Sequence, residues 1–156
     1  MSRLEALNAA MEEAVTLAKQ AGQDGDVPVG ALVIAPDGHI VGRGWNTRET
    51  RHDPTGHAEI AALREAGEKL GTWNLSGCTL VVTLEPCTMC AGAAVNSRVS
   101  TIAFGAWEPK SGACGSVRDV VRDARLGQPI EVVAGVMEQK VKEQLRTFFE
   151  ISVRET

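Results

Sequence analysis

The sequence has 156 residues, 44% hydrophobic and 23% charged, a balance that fits one globular domain burying about two-thirds of its unfolded surface. A formal net charge of −4 argues against nucleic-acid binding through a broad basic face, and three Trp, three Phe and no Tyr argue against an extended base-stacking platform. The longest apolar run is too short to cross a bilayer, and Glu5, Glu12 and Glu13 interrupt the N-terminal apolar pattern, so neither a membrane span nor an export signal is expected, and a cytoplasmic location is.

Leu4, Leu7, Met11, Ala14, Val15 and Ala18 fall at helical spacing, predicting an amphipathic helix over 3–21 with Gly22 as its stop. The apolar, β-branched stretch 27–35, the turn chemistry of Pro36-Asp37-Gly38 and the stretch 40–46 predict a β-hairpin, followed by a polar loop over 47–56. Ile60, Ala61, Leu63, Ala66 and Leu70 continue as a helix that Gly71 closes, placing His57 in its first turn. Residues 78–83 read as a buried strand, and Pro86 opens a helix over about 87–96 with Cys87 and Cys90 in its first turn. A strand is predicted over 100–104, a Gly-containing loop over 105–116, short helical turns over 117–126 and a fifth strand over 130–134. Met137, Val141, Leu145, Phe148 and Phe149 line one face of a final helix. The alternation predicts an α/β fold over 1–156, a three-layer α/β/α sandwich around a mixed sheet of about five strands.

The chemistry concentrates in Thr55-Gly56-His57-Ala58-Glu59 and Thr83-Leu84-Glu85-Pro86-Cys87-Thr88-Met89-Cys90. Cys87 and Cys90, three apart, project their sulfurs to one side of a helix's first turn and can grip a single ion. That spacing by itself also suits a redox pair or half of a four-thiolate structural zinc. His57 and Glu59, two apart, can reach one point only off the N-terminal end of their helix, where the helix dipole is positive. His57, Cys87 and Cys90 supply three ligands, the number that leaves a zinc with a position for water. Cys78, Cys114, His39 and His52 are better read as packing or solvated residues, and a fourth ligand from among them is what a closed structural site would require.

His57-Ala58-Glu59 followed by Pro86-Cys87-Thr88-Met89-Cys90 resembles the signature of the zinc-dependent cytidine and nucleobase deaminases, a system whose motif and mechanism are established in general terms. Val27-Pro28-Val29-Gly30-Ala31, Gly44-Trp45-Asn46, Arg51-His52-Asp53-Pro54-Thr55, Cys90-Ala91-Gly92-Ala93, Phe104-Gly105-Ala106 and Lys110-Ser111-Gly112-Ala113 are similar to the bacterial tRNA-specific adenosine deaminases. The resemblance implies a cytidine deaminase-like fold, a homodimer, and conversion of adenosine to inosine at the wobble position of a tRNA anticodon loop. It implies one zinc per subunit on His57, Cys87 and Cys90, with Glu59 as the catalytic proton carrier. The base would lie against the Leu84 carbonyl and the Ala58 amide, with Asn46 on its edge.

In that family the loop after Phe104-Gly105-Ala106 reaches the anticodon, and the matching positions here are Glu108 and Lys110, a Glu standing where an Asp is common. Phosphate attraction is expected from Arg48, Arg51, Lys110 or Arg98, or from the partner subunit. Two other readings remain open: a deaminase of a free base or nucleoside, such as guanine, cytosine or cytidine, and a non-enzymatic module in which zinc only ties two helices together.

Overall fold

The computed structural model describes residues 1–155, so of the domain expected over 1–156 only Thr156 lies outside the described residues. In chain order the elements are α1 (Arg3–Gln23), β1 (Gly30–Ile34), β2 (Ile40–Trp45), α2 (Ala58–Leu70), β3 (Thr79–Leu84), α3 (Thr88–Ser97), β4 (Thr101–Ala106), β5 (Glu131–Val133) and α4 (Glu138–Glu155). They form one five-stranded sheet in the order β2-β1-β3-β4-β5. β1 is antiparallel to both β2 and β3, while β3, β4 and β5 run parallel, the mixed sheet that a hairpin followed by strand-helix-strand units produces.

Alternation within the central strands sorts the core into two layers. Ala31, Val33, Leu80, Val82, Ile102 and Phe104 point to one face and pack with Ala58, Ala62, Ala91 and Ala94 of α2 and α3. Leu32, Val81 and Ala103 point to the other and pack with Leu7, Met11 and Ala14 of α1 and Val141 of α4. The helices supply mostly alanine at these contacts, which lets their backbones lie close to the sheet. At Gly42 and Gly44 of β2 an added Cβ would lie 2.1 Å from the Ala62 carbonyl oxygen and 2.4 Å from that of Ala58, so α2 rests directly on strand backbone there.

β2 and β3 both run antiparallel to β1, and therefore point the same way. Each is followed by a helix on the same face, so α2 and α3 begin at one edge of the sheet, beyond the carboxyl ends of the strands. Ligand sites of open α/β sheets lie at that edge.

Three expectations are corrected. Helix α1 runs through Gly22 to Gln23, and the chain turns at Asp24 and Gly25, the latter at φ 91°. A glycine in a helix costs only about 1 kcal/mol relative to Ala, so it does not terminate a helix whose neighbouring Ala21 is fully buried. Over 117–126 only Ala124–Leu126 is helical, a single 3₁₀ turn. The preceding residues instead fold back on Gly112 and Ala113, with Val117 and Arg118 amides donating to the Gly112 carbonyl at 3.1 Å and Val120 to Ala113 at 2.9 Å. Met137 precedes α4 at φ 54° rather than lying within it, while packing with Leu145 on the α1–α4 layer as expected.

Candidate active site

His57 and Cys87 occupy equivalent positions. Each is the N-cap of its helix, with extended backbone at φ −97°, ψ 149° and φ −75°, ψ 178°, and neither side chain caps its own helix. Both are thereby one residue outside the first turn predicted for them, and both side chains are free to turn toward each other. Cys90 lies in the first turn of α3 and is fully buried. His57 Nδ1 is 3.6 Å from Cys87 Sγ and 3.4 Å from Cys90 Sγ. Tetrahedral ligands at zinc–nitrogen and zinc–sulfur bond lengths lie roughly 3.5–3.7 Å apart, so this donor set fits one zinc ion. His57, Cys87 and Cys90 are the only such group among the described residues, their ligand atoms lying within 4.8 Å of one another.

None of the weaker candidates joins them. Cys78 and Cys114 are buried free thiols in the core, and the His39 ring, 82% exposed, pairs with Asp37. His52 is exposed in the polar loop.

Two helix N-termini converge here, and the positive ends of their dipoles favour negative charge. The Cys87 thiol is pushed down to about 3 by the hydrogen bond from Cys90, assisted by His57. Cys90 moves the other way, raised through the same bond and by its burial, so it keeps its own proton and donates it to Cys87. The His57 imidazole is raised by its bond to Cys87. Glu59, 4% exposed, has its carboxyl pushed up to about 7 because burial penalises the charged form. A carboxyl poised near neutrality is suited to taking and returning a proton.

Beside the cluster lies a cavity of about 140 Å³, with Val27, Val29 and Leu84 as apolar wall and Asn46, Glu59, Glu108 and Ser111 as polar groups. Drug-sized sites occupy roughly 300–1,000 Å³; this one suits a single heterocycle. The structure thus brings Asn46, Leu84 and Glu108 to the cavity with the ligand set.

Asn46 has a second task. Its Oδ1 accepts the Ala58 amide at 3.0 Å, so the donor expected to face a base is instead spent within the protein. The reason is local: with the His57 side chain committed to the ligand cluster, the start of α2 needs a cap from elsewhere, and Asn46 provides it. Lys110 is exposed, and its amide donates to Glu108 Oε1 at 2.9 Å, turning that carboxylate along its own loop. Arg48 is exposed but near enough to lower the proton affinity of His57. Arg98 caps the opposite end of α3 from the cysteines, at φ 66°, and is removed from the site.

Two buried carboxylates escaped the sequence reading. Asp26, 2% exposed, accepts the amides of Glu49 and Thr50 at 2.9 and 3.1 Å and the Thr50 hydroxyl at 3.0 Å, holding the loop that leads to His57. Glu85, also 2% exposed, lines the cavity and holds the loop carrying Glu108. The available signal was a lone acid directly after a buried strand and just before Pro86.

Residues 4–106 match the family model for the cytidine and deoxycytidylate deaminase zinc-binding region. The chain belongs to that family. A tRNA-specific adenosine deaminase of Bacillus subtilis is 45% identical over 139 residues, 89% of this chain and 86% of that protein. A tRNA(Ile)-lysidine synthase of Deinococcus radiodurans is 52% identical over 143 residues; the match spans 92% of this chain but only 24% of that relative's length. A solved structure from a study of A-to-I editing by tRNA:A34 deaminases at the wobble position of transfer RNA superposes with a TM-score of 0.83 at 38% identity, covering 87% of this chain and 98% of that one. The resemblance to tRNA-specific adenosine deaminases and the cytidine deaminase-like fold are both borne out, and the family is a zinc-binding one, consistent with the His57, Cys87 and Cys90 donor set.

Proposed function

We propose that the chain, a single deaminase domain, hydrolyses adenosine to inosine at the wobble position of a tRNA anticodon, releasing ammonia. The observation that carries this is a three-ligand donor set beside a buried Glu59, at the wall of a cavity sized for one base. The relatives named above supply the substrate class.

His57, Cys87 and Cys90 would hold the zinc, which when bound supplies the Lewis acidity that makes water a nucleophile at neutral pH. Glu59 takes a proton from the attacking water, passes it to N1 of the adenine ring and helps protonate the departing amine. Its place two residues from His57 keeps it at the cluster without making it a ligand. Asn46, its Oδ1 held by the Ala58 amide, has its Nδ2 left to donate to the edge of the base. The Leu84 carbonyl lies against the base, and Val27 and Val29 complete a wall that excludes water. Glu108 and Lys110 meet the flanking nucleotides, with Arg48 and Arg51 contributing positive charge for phosphate.

We place the enzyme in the cytoplasm, where its substrate is, as a homodimer. No helix among the described residues is long and apolar enough to cross a membrane. The open groove between α2 and α3, with Ile60, Leu63 and Ala93 along it, offers an apolar surface to a second copy. Sedimentation at micromolar concentration is expected to give twice the 16.6 kDa chain mass.

The activity is tested by incubating the zinc-loaded protein with an arginine tRNA anticodon stem-loop bearing a wobble adenosine and measuring inosine, alongside free adenosine, cytidine, cytosine and guanine. Inosine in the stem-loop alone is the expected result. Turnover of a free base or nucleoside alone would replace this reading with the small-molecule one, and four protein ligands on the metal would replace it with the structural one.

A further inference from the structure

Glu85 stands two residues before Cys87 and lines the cavity, which would suit a second acid–base group. Its hydrogen bonds assign it differently. Oε1 accepts the Glu108 amide at 2.9 Å and the Ser116 hydroxyl at 2.5 Å, and Oε2 accepts the amides of Cys114 at 3.0 Å and Ser116 at 3.1 Å. A carboxylate offers about four lone-pair sites, so four donors saturate it and leave nothing with which to bind a metal or receive a substrate proton.

The donors all come from one loop, and it closes on the carboxylate from both ends. The backbone repeats the attachment. Glu85 N–H donates to the Ala106 carbonyl at 2.8 Å, Ala113 N–H donates to the Pro86 carbonyl at 2.8 Å, and Cys87 forms an isolated bridge with Gly112. Gly112 is wedged so tightly that an added Cβ would lie 2.2 Å from Glu85 Oε1 and 2.2 Å from Ser116 Oγ. The same loop carries Glu108 and Ser111 into the cavity and Lys110 to its exposed margin.

We propose that Glu85 is the positioning residue that fixes the 108–116 loop to the segment bearing Cys87, so that substrate recognition by Glu108 to Ser111 is held in register with the metal ligands. This rests on the RNA-deaminase reading for what the loop recognises, and on the hydrogen bonds alone for the anchoring. Replacing one carboxylate oxygen by an amide sets N–H against N–H and leaves buried amides without an acceptor, loosening the loop without touching a ligand or Glu59.

The test compares E85Q with the wild-type zinc-loaded protein by backbone amide exchange, zinc content and steady-state deamination of the anticodon stem-loop. E85Q is expected to lose about 10-fold or more in protection at Glu108, Cys114 and Ser116, with α2 and α3 amides and zinc content unchanged. KM for the stem-loop is expected to rise on the order of 10-fold to 100-fold, with kcat changed by less than about 3-fold. S116A, which keeps three amides on the carboxylate, should give a several-fold smaller change in the same direction. Unchanged loop protection overturns the anchoring. A fall in kcat at constant KM overturns the positioning role in favour of a catalytic one, and protection lost throughout the chain or zinc lost with it overturns it in favour of a general structural one. A wild-type protein inactive on the stem-loop overturns the substrate reading, and with it what the loop recognises, while the exchange arm still decides the anchoring.

Discussion

Glu59 and Glu85 are matched in almost every respect that burial and sequence can describe. Each lies two residues from a member of the ligand set, each is less than 5% exposed, and both line the same cavity. They differ in supply. Glu85 receives four donors from a loop that folds around it, whereas Glu59 has only its own backbone, the charge of His57 and the neighbouring Cys90 thiol to offset its burial. A buried carboxylate that is fully supplied stays in place and organises what surrounds it. One that is undersupplied holds its proton near neutrality and is free to exchange it. The contrast between proton carrier and anchor therefore comes from the number of donors each acid finds.

The comparison can be broken most decisively at the cluster both acids flank. C90S, or removal of zinc by a chelator, is expected to abolish inosine formation, with metal content measured in parallel and activity restored only when zinc is returned to the wild type. E59Q is expected to keep its zinc and lose about 10²–10⁴-fold in kcat; a loss smaller than that of E85Q would invert the roles assigned to the two acids. On the anchor side, G112A forces a Cβ against Glu85 and Ser116 and is expected to cost about 1–3 kcal/mol in urea unfolding. N46A removes the acceptor of the Ala58 amide and should cost about 1 kcal/mol, as loss of a helix cap does. It is also expected to raise KM, because the same side chain faces the cavity. The smallest effect belongs to an acid with neither burial nor a loop to hold. E13Q breaks an exposed pair with Arg43 at 3.3 Å and is expected to change stability by less than about 1 kcal/mol and activity not at all.

Much of the fold was legible in periodicity. The hairpin, α2 with Gly71 as its left-handed cap, the buried strand before Pro86 and the weak fifth strand all follow from local patterns that the packed structure preserves. The region 117–126 was not legible, because its apolar residues suggest a helix while its amides are drawn to Gly112 and Ala113, partners set by tertiary contact. Gly22 misled for a related reason: packing of the alanines around it outweighs its weak propensity to stop a helix.

The residue types of the site were set by the sequence alone. A histidine, two cysteines three apart and a glutamate two from the histidine have few uses in common, and their spacing before apolar helical runs already puts them at helix starts. What only the tertiary structure decided is which groups are occupied. The Ala58 amide turned out to be spent on Asn46, and Glu85 to be saturated by a loop more than twenty residues away along the chain. Ligand identity depends on the chemistry of a side chain, which a sequence states directly. Whether a polar group is free to act depends on whether something distant has already satisfied it, and that is settled only when the chain has folded.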